Sequence, residues 1–177
     1  PSTMITGASS SDCFGIYVNG INGGNFTISD NYIGGSSPNC VGTMTLNSTA
    51  TNNFRGMYVS LNSANPSTVS NNTISNINFT SITSSTLSNG AISFLNGAGT
   101  ISGNIISNIS FNSSAAAAFN SIITGTGTVD HNGLITISNN TVSGITIGGA
   151  GAVAFIGIKA ETSGTPTLTN SQYSITG

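Results

Sequence analysis

Apolar residues recur along this chain at every second position in short runs, and one such run keeps returning. Thr136-Ile137-Ser138-Asn139-Asn140 has counterparts in Thr27-Ile28-Ser29-Asp30-Asn31, Thr68-Val69-Ser70-Asn71-Asn72 and Thr100-Ile101-Ser102-Gly103-Asn104, with a more distant copy at Thr167-Leu168-Thr169-Asn170-Ser171. Two residues further on comes another apolar or aromatic side chain: Ile33, Ile74, Ile106, Val142 and Tyr173. Alternation over a few residues is the period of a strand buried on one face. Ile28, Val69, Ile101, Ile137 and Leu168 are therefore expected to face a core, with the flanking Thr and Ser facing outward.

A second strand is expected between these units, opening each time on a small residue. Its copies are Gly15-Ile16-Tyr17-Val18, Gly56-Met57-Tyr58-Val59, Gly90-Ala91-Ile92-Ser93-Phe94, Ala118-Phe119-Asn120-Ser121-Ile122 and Gly151-Ala152-Val153-Ala154-Phe155. No stretch carries helical periodicity, and the helix-friendly run Ala115 to Ala118 is too short to stand alone. Differences in repeat length fall in polar segments such as Gly34 to Cys40 and Thr80 to Asn89. Constant strands joined by elastic loops mark a solenoid, in which each coil must match its neighbours while its loops face solvent. The pattern predicts an all-β protein, a parallel β-helix of about five coils. It is read as a single domain over residues 1–177, either by itself or as one module of a longer or head-to-tail assembled fibre.

The sequence Ile-x-x-Asn-x-Ile, followed later by Gly-Ile-x-Val, resembles the coils of right-handed parallel β-helix proteins, the pectate-lyase-like architecture of many secreted bacterial proteins. The resemblance extends over essentially the whole chain. It speaks for fold more than for activity, because that architecture hosts enzymes, adhesins and inert stalks alike. In such a stack the apolar centres form one column, and Asn31, Asn72, Asn104 and Asn140 fall at one bend. There, side-chain amides can bond to one another and serve backbone groups that the turn leaves unpaired.

Composition sharpens the picture. Only 3% of residues are charged, against about 25% in an ordinary soluble domain. The polar surface must be built from Asn, Ser, Thr and Gly, which hydrate without repelling one another, so little opposes self-association. Arg55 and Lys159, the two basic residues, cannot neutralise a row of phosphates, which excludes nucleic acid as a partner. No apolar run reaches the length of a membrane span, so membrane insertion is not expected. The chain opens at Pro1 and reads as a mature or excised segment.

Candidate chemistry is sparse. Cys13 and Cys40 fit no metal motif, and with one His in the chain neither a metal site nor a cofactor is expected. The two cysteines are either a disulfide between neighbouring loops, as an oxidising extracellular compartment would allow, or two unpaired thiols. Polysaccharide chemistry on this fold needs clustered carboxylates. Asp12, Asp30, Asp130 and Glu161 are scattered by the repeat alignment, so no catalytic residues are assigned. Thr27, Ser29, Thr68, Ser70, Thr100, Ser102, Thr136, Ser138, Thr167 and Thr169 are expected to form a two-column hydroxyl array, a candidate binding or packing face. The array resembles the ice-binding faces of some β-solenoid antifreeze proteins, although Ser takes most of the second column.

Tyr173-Ser174-Ile175-Thr176-Gly177 echoes Thr3-Met4-Ile5-Thr6-Gly7, while a rival register pairs Pro1-Ser2-Thr3-Met4 with Pro66-Ser67-Thr68-Val69; in either register the last coil could continue into a first. The expected function is a non-catalytic extracellular structural protein, a filament subunit or adhesin-stalk module whose partner is itself. The alternatives are an ice- or glycan-binding β-solenoid and, behind these, a polysaccharide-active enzyme.

Overall fold

The computed structural model describes residues 3–5, 12–20, 23–47, 53–61, 65–82, 88–125, 133–160 and 173–176. The chain winds repeatedly through three strand directions. A first coil holds β1 (Thr3–Ile5), β2 (Cys13–Gly20) and β3 (Thr27–Ser29). The second holds β4 (Tyr32–Gly34), a 3-10 turn at Pro38–Cys40, β5 (Met44–Asn47), β6 (Phe54–Leu61) and β7 (Ser67–Ser70). The third has β8 (Thr73–Ile82), β9 (Ser88–Asn96) and β10 (Gly99–Ser102), and the fourth β11 (Ile105–Ser113), β12 (Ala117–Thr124) and β13 (Ile135–Ser138). The last has β14 (Thr141–Gly148), β15 (Val153–Ala160) and β16 (Tyr173–Thr176).

Strands at equivalent places pair in parallel into three sheets, ordered β1-β5-β8-β11-β14, β2-β6-β9-β12-β15 and β3-β7-β10-β13-β16, with β4 also pairing β8. This is an all-β parallel solenoid. The variable coil length is absorbed by loops: Gly34 to Met44 is an excursion that splits one coil's strand into β4 and β5, while β8 pairs with both. Successive copies of the bend Asn lie 41, 32 and 36 residues apart, yet the strands of the third sheet that lead into them remain in register.

The interior follows the alternation. Val69, Ile101 and Ile137 are buried in the third sheet, Ile74 and Ile106 in the first, Met57, Ile92 and Ile122 in the second. Between the sheets lies an aromatic cluster that alternation alone does not specify: Phe79 packs at 5.1 Å from Phe54, 5.3 Å from Phe111 and 6.2 Å from Phe119, ring centre to ring centre. Tilted and edge-on contacts of this kind add to what ring burial alone contributes. The small residue expected ahead of the second strand has a steric cause. A Cβ at Gly15 would lie 2.6 Å from the Gly56 carbonyl oxygen and 3.0 Å from Ile33.

Several registers differ from the sequence expectation. β16 pairs with β13 so that Ser174, Ile175 and Thr176 stand beside Thr136, Ile137 and Ser138. The last copy of the repeat is thus Tyr173 to Thr176 rather than Thr167 to Ser171, a segment outside the described residues. In the second sheet Phe155 stands beside Phe119, and Ile158 occupies the place of Ile122. The small-residue column therefore runs Gly15, Gly56, Ala91, Ser121 and Gly157, and the expected Gly90, Ala118 and Gly151 are not its members. Alternation could not settle the last strand, because Thr167-Leu168-Thr169 and Ser174-Ile175-Thr176 carry the same pattern, nor the last small residue, because a slip of six residues preserves which face each side chain takes.

Candidate functional site

The bend between the third and first sheets is built by a column of amides. The Oδ1 of Asn72 accepts from both the Nδ2 (2.9 Å) and the backbone N–H (3.0 Å) of Asn31. Asn104 receives the same pair from Asn72, at 2.9 and 3.0 Å, and Asn140 from Asn104, at 2.8 and 3.0 Å. Each Nδ2 also reaches a strand carbonyl one coil back: Asn72 to Ile28, Asn104 to Val69 and Asn140 to Ile101. Asn72 and Asn104 are fully buried, where an unpaired amide would be costly. The residue just ahead of each Asn has a left-handed backbone, with φ of 59° at Asp30, 55° at Asn71, 64° at Gly103 and 54° at Asn139. Asp, Asn and Gly are the residues that adopt this conformation most readily, so the turn accounts for an Asp at position 30.

The hydroxyl array is in register. Thr27, Thr68, Thr100 and Thr136 stand side by side, as do Ser29, Ser70, Ser102 and Ser138. These side chains are half-buried except Thr27, which is exposed. Thr167 and Thr169 lie outside the described residues, and by backbone register Ser174 and Thr176 continue the two columns in their stead.

Cys13 and Cys40 are free thiols, so the disulfide considered above is not formed. Cys40 is buried in the excursion between β4 and β5, its Sγ 3.8 Å from the Thr73 carbonyl. Cys13 packs from β2 against the core, and burial pushes its thiol pKa up, which keeps it protonated and weakly nucleophilic near neutral pH. Asp130, His131 and Glu161 lie outside the described residues. Among the described residues no group of three or more His, Cys, Asp and Glu comes together, and no helix is long and apolar enough to cross a membrane.

The second sheet carries a feature that the repeat pattern passed over. On the outer side of β2 and β6, the Tyr17 and Tyr58 rings stack at 4.8 Å with 16° between their planes. Phe14 closes on both, at 4.8 and 5.3 Å. The Arg55 guanidinium lies over Tyr58, 5.1 Å from the ring centre, with its Nε buried and unpartnered. Asp12 joins them and accepts a 2.6 Å hydrogen bond from Asn53 Nδ2. Together Asp12, Phe14, Tyr17, Arg55 and Tyr58 line an open groove of about 580 Å³.

The coil ends differ from the middle. Phe119 is fully buried whereas Phe155, its partner one coil on, is 44% exposed. Val142, Ile145, Ile147 and Ile158 are half-buried where the same columns in the preceding coil, at Ile106, Ile109, Phe111 and Ile122, are sealed. At the other end Ile16, Val18 and Ile33 are half-buried beside the sealed Met57, Val59 and Ile74.

Comparison with known proteins finds no family model, no curated protein and no solved structure that matches the chain.

Proposed function

We propose that this chain is a non-catalytic, extracellular structural solenoid of the pectate-lyase-like type, a filament subunit or stalk module that stacks through its coil ends onto further coils. The observation that carries the reading is the step in burial at both ends. Columns sealed inside the solenoid emerge half-open on its outermost described coils, and among the described residues each of the three sheets ends there in an edge strand. Edge strands with an apolar cross-section invite pairing with another chain. Head-to-tail stacking of this kind gives an open filament.

Sedimentation and electron microscopy of three proteins test it. The unaltered chain is expected to pellet as filaments. Phe155→Lys, which puts a charge on an exposed end residue, should give folded monomers with an unchanged strand signature in circular dichroism. Ala116→Lys, on an exposed turn of an interior coil, should leave assembly intact. A monodisperse unaltered protein, or filaments from Phe155→Lys, would sink the reading.

The in-register hydroxyl columns support a second reading, an ice- or glycan-ordering face. Inhibition of ice recrystallisation that is lost in Thr100→Val and Thr136→Val would establish it for ice; no inhibition would remove it.

A further inference from the structure

We propose that the groove lined by Asp12, Phe14, Tyr17, Arg55 and Tyr58 is a saccharide site that takes pyranose units of a neutral glycan. The rings are not core residues displaced outward. Inward positions of the same strands are filled by Ile16, Val18, Met57 and Val59, and Tyr17 is 53% exposed. Nor is the cluster a property of the repeat, because the Tyr17–Tyr58 column continues as Ser93 and the Phe14–Arg55 column as Gly90. Three rings in mutual contact present an apolar, electron-rich surface, and an aromatic face attracts polarised C–H groups.

What surrounds the rings selects the occupant. The Asp12 carboxylate is engaged on one oxygen by Asn53 and can accept further donors. Arg55 is a source of N–H donors held against Tyr58, with its Nε buried and unpartnered. A wholly apolar ligand would desolvate the carboxylate and the guanidinium with nothing in exchange. A pyranose has a flat C–H face for the rings and a rim of hydroxyls that both donate and accept. One carboxylate and one guanidinium also balance in charge, which favours a neutral sugar over a uronate or an amino sugar. The groove is open rather than enclosed, as suits units of a passing chain more than a small molecule held on all sides.

The chain has no Trp and two of its four Tyr line the groove, so a change in tyrosine emission follows its occupancy. Soluble cello-, xylo-, malto- and manno-oligosaccharides are titrated against the unaltered chain, with oligogalacturonate in parallel, and each result is repeated by calorimetry. The expected result is saturable binding of at least one neutral oligosaccharide. Tyr17→Ala and Asp12→Asn should each weaken it by about tenfold or more, with no change in the circular dichroism spectrum. Both residues are exposed, so neither variant should compromise folding. Failure of every neutral oligosaccharide to saturate, or binding undiminished in Tyr17→Ala, would overturn the proposal. Binding of oligogalacturonate alone would overturn the neutral assignment and make Arg55 the determinant.

Discussion

Asn104 shows how much one side chain can carry in this fold. Its Oδ1 accepts two bonds from Asn72, and its Nδ2 donates to Val69, to Ser102 and to Asn140. Asn104→Ala would leave buried backbone and amide groups without partners, at about 1–3 kcal/mol. Asn112, half-buried and bonded through Nδ2 to Ser110 Oγ at 3.2 Å, should cost within about 0.5 kcal/mol when changed to Ala. Chemical denaturation of the two variants side by side checks the difference, and equal midpoints would refute the ladder's role. The left-handed column makes a separate prediction. Asn139→Gly should be nearly silent, whereas Asn139→Val should lower stability by about 1–2 kcal/mol, because a β-branched residue resists the 54° φ held there. Thr124 offers the reverse case. It is fully buried and its hydroxyl has no hydrogen-bond partner, so the near-isosteric Thr124→Val should stabilise by about 1 kcal/mol, read as a raised thermal midpoint.

The strands of the third sheet are only three or four residues long, and none could persist alone. They hold because each interior strand places an aliphatic side chain between aliphatic neighbours: Ile101 lies between Val69 and Ile137 and is fully buried. Ile101→Asp should abolish folding, since a carboxylate there has no counter-charge and the flanking coils cannot withdraw. Retained cooperative unfolding in that variant would show the column to be wrongly placed. These elements were legible in the sequence because a period of two, repeated with an Asn at fixed distance, determines face and bend together. The last coil was misaligned for an equally physical reason. Thr167-Leu168-Thr169 and Ser174-Ile175-Thr176 carry the same alternation, and only pairing with β13 distinguishes them. The groove was not legible at all, because Tyr17 and Tyr58 are ordinary strand formers and nothing local says which of their neighbours in space will be Phe14, Arg55 and Asp12.

At the scale of the whole molecule, cohesion passes from coil to coil, so interior and end differ in kind. An assembly formed by continuing those contacts would rest on strand pairing and apolar burial. With so few charges in the chain there is little for salt to screen. Filaments should therefore survive a rise to molar sodium chloride, as measured by the pelleted fraction, and dissolution by salt would point to a charged interface instead. The amide column adds a property of its own. Every link runs the same way, Asn31 giving to Asn72, Asn72 to Asn104 and Asn104 to Asn140, so the column has a direction, like an arrow threaded through the coils. One terminus of that arrow offers the carbonyl oxygen of Asn31, the other the amide group of Asn140. A fibre continuing it could not be symmetrical end for end: its two tips would be chemically unlike, and fresh subunits would join them at unequal speeds.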